Sequence, residues 1–214
     1  MTSPGFPLMA LSRHRLGTDG RGVTTLVAAH GCPLACRMCL NPQCRDPLTP
    51  VTRLSPQALY DQVRVDDLYF QATGGGVTFG GGEPLCHAAF IEAFRRLCGR
   101  RWRILAETSL HISPADLEIA IGCVDEFWVD IKDMDPAIYH RYTGADNGPV
   151  KENLKRLLDA VGPERVTVRV PHIPGFNRPQ DVENSVSALR EMGADKLDVF
   201  PYRLIDDAPP SASG

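Results

Sequence analysis

Four cysteines within thirteen residues form the most unusual stretch of the sequence. Cys32, Cys36 and Cys39 have the spacing C-x3-C-x2-C, and Cys44 follows on the same glycine- and proline-containing loop. So many soft ligands on one loop indicate a metal site rather than packing. Three thiolates can hold three corners of a four-iron cluster, which leaves the fourth iron open to a substrate. This interpretation requires Cys44 to stay off the cluster.

Two other metal sites fit these cysteines less well. Structural zinc sites usually take their ligands from two separated C-x2-C or C-x2-H pairs, and only Cys36 and Cys39 form such a pair. The bacterial ferredoxin run, C-x2-C-x2-C-x3-C-P, differs from the spacing here. The remaining cysteines have no neighbour at ligand spacing and are expected to be structural: Cys86, Cys98 and Cys123.

Composition excludes several classes of function. The 214 residues, 43% of them hydrophobic, predict one large domain. The net charge of −3 leaves no basic footprint for nucleic acid, so a small molecule or a protein is the expected partner. No apolar run is long enough to cross a bilayer, the N-terminus lacks the pattern of a signal peptide, and the seven cysteines suit a reducing compartment. We therefore expect a cytoplasmic protein without membrane contacts.

Strand and helix patterns alternate along most of the chain. Buried, β-branched runs predict six strands, at residues 23–29, 76–79, 103–106, 127–129, 166–170 and 196–200. The pairs Ser55-Pro56 and Ser113-Pro114 are typical of helix starts. This alternation predicts an α/β fold with parallel strands, an open partial (β/α)6 barrel whose last helix is missing. Residues 1–15 are expected to be a poorly ordered lead-in, residues 16–205 the core domain and residues 206–214 a disordered tail.

Polar or glycine-rich segments follow each predicted strand. They are the cysteine loop, Gly81-Gly82-Glu83, Glu107-Thr108, Asp130 with Lys132, Arg169, and Tyr202-Arg203. Ligands bind at the carboxyl edge of parallel sheets, so these segments should converge on one cleft. Six of the nine residues in 74–82 are glycine, which predicts that the backbone approaches a ligand closely there.

Several further motifs extend beyond the cysteines. They are Gly17-Thr18-Asp19-Gly20, the glycine run continuing into Glu83-Pro84-Leu85, Asp130-Ile131-Lys132, residues 169–177 and Phe200-Pro201-Tyr202. Together with the cysteine spacing, they resemble the glycyl-radical-enzyme activases of the radical S-adenosylmethionine (SAM) superfamily, a group that includes pyruvate formate-lyase activating enzyme. The resemblance runs from about residue 16 to residue 205, nearly the whole chain.

The resemblance implies a specific reaction. Cys32, Cys36 and Cys39 would bind one [4Fe-4S] cluster, whose open iron is chelated by the amino and carboxylate groups of SAM. One electron, from a flavodoxin or ferredoxin, would then cleave SAM and give a 5′-deoxyadenosyl radical. That radical would take a hydrogen atom from the Cα of a glycine in a partner glycyl radical enzyme, with the activase acting as a monomer.

The needs of SAM can be matched to the strand ends. By the resemblance, Met38 and Leu40 line the adenine region, Gly82 and its neighbour Gly81 contact the amino group, and Asp130, Lys132 and Arg169 line the SAM site. By chemistry, Glu83 suits the amino group, the cations Lys132, Arg169 and Arg203 suit the carboxylate, and Asp130 suits the ribose or a monovalent cation. Glu107 and Thr108, at the end of the third strand, complete the predicted set.

The chain departs from the family pattern at a few positions. Arg203 and Leu40 stand where the family commonly has histidine, Glu107-Thr108-Ser109 where it has Asp-Thr-Asn, and Thr24 where it has arginine. No ferredoxin-like insertion separates Cys44 from Ser55, so a single cluster is expected. Two other interpretations stay open: a radical SAM enzyme acting on a small molecule or peptide, and a degenerate iron–sulfur binding module.

Overall fold

One sheet organises the structure, a computed structural model that describes residues 5–202. Its eight strands are β1 (Phe6–Leu16), β2 (Val23–Ala29), β3 (Thr52–Leu54), β4 (Gly76–Gly81), β5 (Arg103–Thr108), β6 (Glu126–Asp130), β7 (Val166–His172) and β8 (Lys196–Pro201). Their order is β3-β1-β2-β4-β5-β6-β7-β8, with β3 and β8 at the edges, so the sheet is open. Six strands run parallel to one another: β2, β4, β5, β6, β7 and β8. Strands β1 and β3 pair antiparallel at one side of the sheet.

Helices connect the parallel strands. They are α1 (Pro56–Val63), α2 (Asp67–Thr73), α3 (Ala88–Cys98), α4 (Pro114–Cys123), α5 (Pro136–Thr143), α6 (Gly148–Val161) and α7 (Pro179–Glu191). The Ser55 and Ser113 hydroxyls accept hydrogen bonds from the backbone N–H groups of Ala58 and Asp116, each at 3.1 Å, which caps α1 and α4 as the Ser-Pro pairs predicted. None of the helices in residues 5–202 is long and apolar enough to span a bilayer.

The core lies between the sheet and these helices. Phe79 of β4 packs edge-on against Phe6 of β1 and Phe94 of α3, with ring centroids 5.7 Å apart in both pairs. Cys98 and Cys123 are buried in this core, as expected of structural thiols, whereas Cys86 is exposed. One face of the sheet thus packs against the helices, and the carboxyl edge of its strands is available to bind ligands.

All six predicted parallel strands are present, and five begin at the predicted residue. The expectation of a poorly ordered lead-in at residues 1–15 was wrong from Phe6 onward, because β1 pairs with both β2 and β3. Bulges interrupt its register, and only Phe6 and Pro7 of its 11 residues are buried, so the alternation that marks a strand is weak in its sequence. The expected tail at residues 206–214 and the missing last helix lie outside the described residues.

Candidate active site

Backbone hydrogen bonds fix the cysteine loop, residues 30–44, although little of it is regular structure. The N–H of Gly31 donates to the carbonyl of Cys44 at 2.7 Å, and those of Ala35 and Arg37 donate to Thr143 and Tyr142, at the end of α5, at 2.8 and 3.0 Å. The hydroxyls of Tyr142 and Tyr202 both donate to the carbonyl of Met38. The loop is therefore held from both ends and from the middle.

Three of its four thiols line one cleft. Cys32, Cys36 and Cys39 are partly exposed in a cavity of about 380 Å³ at the carboxyl edge of the sheet. Cys44 is 1% exposed and does not line the cleft, and its neighbouring thiol lowers the pKa of Cys39. Burial raises the pKa of Cys32 to about 11 and also raises that of Cys36. The Cys32 and Cys36 thiols are thus costly to ionise unless a cation binds them.

This donor set fits an iron–sulfur cluster. Within residues 5–202, no three His, Cys, Asp or Glu side chains are close enough to hold one metal ion. A four-iron cluster does not need three ligands on one metal ion, because each thiolate binds a different iron. Three soft donors on a fixed loop, opening on a single cavity, meet its requirement.

A group of paired charges lines the same cleft. Arg169 donates from Nε to Asp130 Oδ1 at 2.6 Å and from Nη1 to Glu107 at 3.4 Å, and Lys132 Nζ lies 3.1 Å from Asp130 Oδ2. The guanidinium of Arg169 also lies over the Trp128 ring, 5.5 Å from its centroid. Strands β5, β6 and β7 each contribute to this group, which only their parallel arrangement brings together.

Burial and pairing set the protonation of these groups. Burial opposes the ionisation of Asp130, but Lys132 and Arg169 outweigh it and lower its pKa. Burial likewise opposes the charge of Lys132, yet Asp130 and the Cys36 thiol raise its pKa. Glu107 differs, because burial raises its pKa and the longer contact with Arg169 only partly compensates. Lys132 and Arg169 therefore stay positively charged and Asp130 stays negatively charged beside the thiols.

Gly82, directly after β4, contacts the cysteine loop. A Cβ on Gly82 would lie 2.1 Å from the carbonyl oxygen of Gly31, so only glycine allows β4 to meet the cysteine loop. Gly82 and Glu83 donate their N–H groups to the carbonyls of Ala29 and Gly31 at 2.9 and 2.8 Å. The sequence predicted a close approach to a ligand. The contact that the structure describes is the one between Gly82 and the cysteine loop. Gly81 and Gly82 also line the cleft, and their approach to a ligand stays a prediction.

Glu83 lies beneath the cleft rather than in its wall. It is 1% exposed, and burial raises its pKa. Its carboxylate accepts from the Thr108 and Ser109 hydroxyls at 2.7 and 2.6 Å and from the N–H groups of Ser109 and Leu85 at 2.8 and 3.3 Å. All four acceptor positions of a carboxylate are thereby used. The direct SAM contact predicted for Glu83 is not what this geometry provides, because the side chain braces the end of β5.

Comparison with known proteins identifies the family. The sequence profile described as the radical SAM superfamily matches residues 26–189. The chain belongs to the radical SAM superfamily. It is 30% identical to the (2S)-3-sulfopropanediol dehydratase activating enzyme of Klebsiella oxytoca, over 82% of this chain and 74% of the relative. It is 27% identical to the isethionate sulfite-lyase activating enzyme of Oleidesulfovibrio alaskensis (87% and 80%) and 26% identical to the pyruvate formate-lyase-activating enzyme of Staphylococcus aureus (89% and 79%).

Solved structures agree on the fold. SuiB of Streptococcus suis, bound to S-adenosylmethionine, superposes with a TM-score of 0.65 at 14% identity, over 85% of this chain. The radical SAM chain spans about two fifths of SuiB's length, 41%. The predicted open, partial-barrel α/β fold is therefore confirmed. So is the prediction of a radical SAM enzyme, a family that uses a [4Fe-4S] cluster and SAM and whose relatives here are activating enzymes.

Most of the predicted site residues of this radical SAM enzyme lie together. Those that line the cleft are Cys32, Cys36, Cys39, Met38, Leu40, Gly81, Gly82, Glu107, Thr108, Asp130, Lys132 and Arg169. Glu83 lies beneath it, and Arg203 falls outside the described residues. Their roles toward SAM stay predictions.

The sequence missed several residues at the cleft. Arg15 of β1 pairs with Asp19, and both line the cleft. The hydroxyl of Thr78 donates to the backbone carbonyl of Asp19 at 2.5 Å. Tyr142 and Ser109 also line the cleft. Two signals were available. Asp19 stands in a motif that carried the family resemblance, and Ser109 directly follows Thr108. Nothing local in the sequence marked Arg15 or Tyr142, because β1 and α5 were not predicted.

Proposed function

We propose that this radical SAM enzyme is a glycyl-radical-enzyme activase, which abstracts a hydrogen atom from the Cα of a glycine in a partner enzyme. The observation that carries the proposal is the cleft itself, where three thiols of one loop face the charges of Asp130, Lys132 and Arg169 at the strand ends. The similarity to three activating enzymes over more than four fifths of the chain supports a protein substrate.

The cysteine loop holds the cofactor in this proposal. Cys32, Cys36 and Cys39 bind three irons, and Cys44 stays behind Cys39 as a free thiol. When bound, the cluster and SAM supply a carbon-centred radical on the adenosyl 5′ carbon. Met38 and Leu40, which flank Cys39 and line the cleft, supply apolar contacts for the adenine.

The paired charges orient the amino-acid end of SAM. Lys132 and Arg169 are the cations beside the thiols, and either can hold a carboxylate while the other keeps Asp130 paired. Both oxygens of Asp130 already have cationic partners, so we assign it to positioning these side chains rather than to the ribose. A monovalent cation at Asp130 would have to displace the ammonium group of Lys132. The carbonyls of the Gly81–Gly82 segment remain the acceptors for the amino group.

Protein partners complete the cycle. A flavodoxin or ferredoxin supplies the electron, and the activase works as a monomer that meets the glycyl radical enzyme at the mouth of the cleft. Arg15 and Asp19 also line the cleft, so we assign them to the wall that the substrate segment contacts.

The test begins with anaerobically reconstituted protein, SAM and dithionite. We expect 5′-deoxyadenosine and methionine in equal amounts, and their absence would exclude the enzyme. Adding a glycyl radical enzyme encoded beside this gene should then give a glycyl EPR doublet, which a Gly→Ala change at the acceptor removes. SAM cleavage with no protein radical would favour the small-molecule or peptide reaction. A cluster ligated by Cys44 that binds no SAM would favour the iron–sulfur module.

A further inference from the structure

Cys36 lies between two cavities. One is the cleft, and the other is a separate pocket of about 540 Å³ on the outer side of the cysteine loop. Of the residues that the structure describes, Cys36 alone lines both. A group bound to the Cys36 sulfur could therefore contact SAM in the cleft and a second molecule in the outer pocket.

The outer pocket is basic. Arg37, Arg45, Arg141 and His140 line it, all four are exposed, and none of the residues lining it is acidic. Within residues 5–202, the side chains of Arg37 and Arg45 form neither a hydrogen bond nor an ion pair. Arg64 and Arg96 are exposed arginines that do have acidic partners, Asp61 and Glu92. Unneutralised arginines grouped on a chain of net charge −3 create a local positive field.

The fold holds this basic group against Cys36. Backbone hydrogen bonds join the loop on either side of Cys36 to the last turn of α5, which carries His140 and Arg141. Arg141 is fixed further, since it donates to the carbonyl of Phe176 and lies over the Phe176 ring, 5.8 Å from its centroid. The Cys36 thiol and the backbone that carries Arg37, His140 and Arg141 are thus held together, and the Arg141 side chain is fixed beside them.

We propose that this surface, formed by Arg37, Arg45, His140 and Arg141 around Cys36, docks a small acidic electron-carrier protein. The proposal rests on the proposed function, because it needs a redox group at Cys36. One electron leaves the reduced carrier, which is oxidised by one unit, and reduces the cluster by one unit, with no proton or other atom transferred. Since the carrier and SAM use different cavities, the electron can arrive while SAM occupies the cleft.

Charge complementarity argues for this occupant. Acidic rims steer redox partners to basic surfaces, and such complexes are small, weak and sensitive to salt. A glycyl radical enzyme fits less well, because its glycine must enter the cleft and not the outer pocket.

The experiment measures binding of a recombinant acidic flavodoxin, and of a ferredoxin in a second arm, to the reconstituted protein by calorimetry. The variant R37Q/R45Q removes two charges whose side chains form no hydrogen bond or ion pair within residues 5–202, and R64Q/R96Q is the control with the same change in net charge. We expect the Kd to rise about tenfold for R37Q/R45Q and less than about twofold for the control. The difference should shrink between about 0.05 M and about 0.5 M salt, because screening shortens the reach of surface charges.

Stopped-flow reduction of the cluster by the reduced carrier should slow in parallel in R37Q/R45Q, and R141Q should slow it too. In R37Q/R45Q, SAM cleavage driven by the carrier should fall more than SAM cleavage driven by dithionite, since a small reductant needs no docking surface. Equal affinity of R37Q/R45Q and wild type, or no binding of either carrier to the wild type, would overturn the proposal. So would equal losses of the carrier-driven and the dithionite-driven reactions in R37Q/R45Q. If the wild type did not cleave SAM with dithionite, the proposed function would be wrong. The calorimetric binding data would still test the docking surface.

Discussion

The two ends of the parallel sheet both gather arginines and carboxylates, but they use them differently. At the amino end, Arg95 donates to the backbone carbonyls of Cys123, Gly99 and Trp102 at 2.9, 2.6 and 2.9 Å and pairs with Asp125. Asp125 also accepts from the N–H of Ile104 at 2.8 Å, so these charges hold the starts of β5 and β6 together. None of them lines the cleft.

At the carboxyl end, the charges pair with other side chains. Asp130 and Glu107 are the partners of Arg169 and Lys132, and all four line the cleft. A charge bonded to backbone carbonyls cannot change partners without disturbing a strand. A charge bonded to another side chain can exchange that bond for one to a ligand. The amino end is therefore built for stability and the carboxyl end for binding, a division of roles typical of parallel α/β barrels.

The largest effect should come from the carboxyl end, at Cys36. Changing Cys36 to Ala leaves two thiols in the cleft, and we expect cluster content to collapse and 5′-deoxyadenosine formation to fall to background. Iron and sulfide content with an anaerobic SAM-cleavage assay measures both. Cys86→Ala is the control, because this exposed thiol lies outside the cleft and should keep full activity. Normal SAM cleavage by Cys36→Ala would show that the Cys36 thiol is not part of the site.

At the amino end, Arg95→Met should produce the opposite pattern. It leaves three carbonyls without a donor and Asp125 without its buried partner, so we expect the free energy of unfolding to fall by about 3–5 kcal/mol. Urea unfolding measures this loss. The neighbouring Arg96→Met changes an exposed side chain and should cost little. SAM affinity per folded molecule should be unchanged in Arg95→Met, and a selective loss of SAM binding would contradict the division between the two ends.

Glu83 is the exception at the carboxyl end, a carboxylate that stabilises. Glu83→Ala would leave two buried donors unpaired, the hydroxyl of Thr108 and the N–H of Leu85, and also the partly buried N–H of Ser109. We expect a loss of about 2–4 kcal/mol in urea unfolding. SAM affinity should fall as well, because Thr108 and Ser109 line the cleft. A variant with full stability but no SAM binding would return Glu83 to the direct role that the sequence suggested.

Lys132 should show the pattern expected of a ligand-binding charge. Its only recorded partner in residues 5–202 is Asp130, which keeps Arg169 when Lys132 is replaced. For Lys132→Met we expect SAM affinity to fall about tenfold by calorimetry, with the free energy of unfolding changed by less than about 1 kcal/mol. Lys155→Met, which changes an exposed ion pair on α6, should change neither. A large loss of stability would instead place Lys132 with the bracing charges of the amino end.

The sequence contained enough to predict both the fold class and the convergence of the site. Buried β-branched runs such as residues 23–29 define parallel strands by their composition alone, and parallel strands bring their carboxyl ends together whatever the loops do. Asp130, Lys132 and Arg169 could therefore be placed in one cleft before any contact was known.

What the sequence could not supply depends on distant contacts. Strand β1 is stabilised by pairing with β2 and β3 rather than by its own pattern. Glu83 and Gly82 are neighbours, but one turns toward Ser109 and the other meets Gly31, which no local pattern distinguishes. Tyr142, 104 residues from Met38 in sequence, holds its carbonyl only because α5 packs against the loop.

The smallest effect is expected at Cys44, although it belongs to the same loop as Cys36. Its thiol is buried beside Cys39 and outside the cleft, so Cys44→Ala should keep the cluster and SAM cleavage within about twofold, with a stability loss of about 1 kcal/mol for the missing sulfur. Iron content and EPR of the reduced cluster, with and without SAM, measure this. Wild type and variant should show the same change of the EPR signal on adding SAM, because the open iron is the same in both. If Cys44→Ala changed the signal without SAM, a fourth thiolate would occupy that iron, and both the cleft and its chemistry would have to be assigned again.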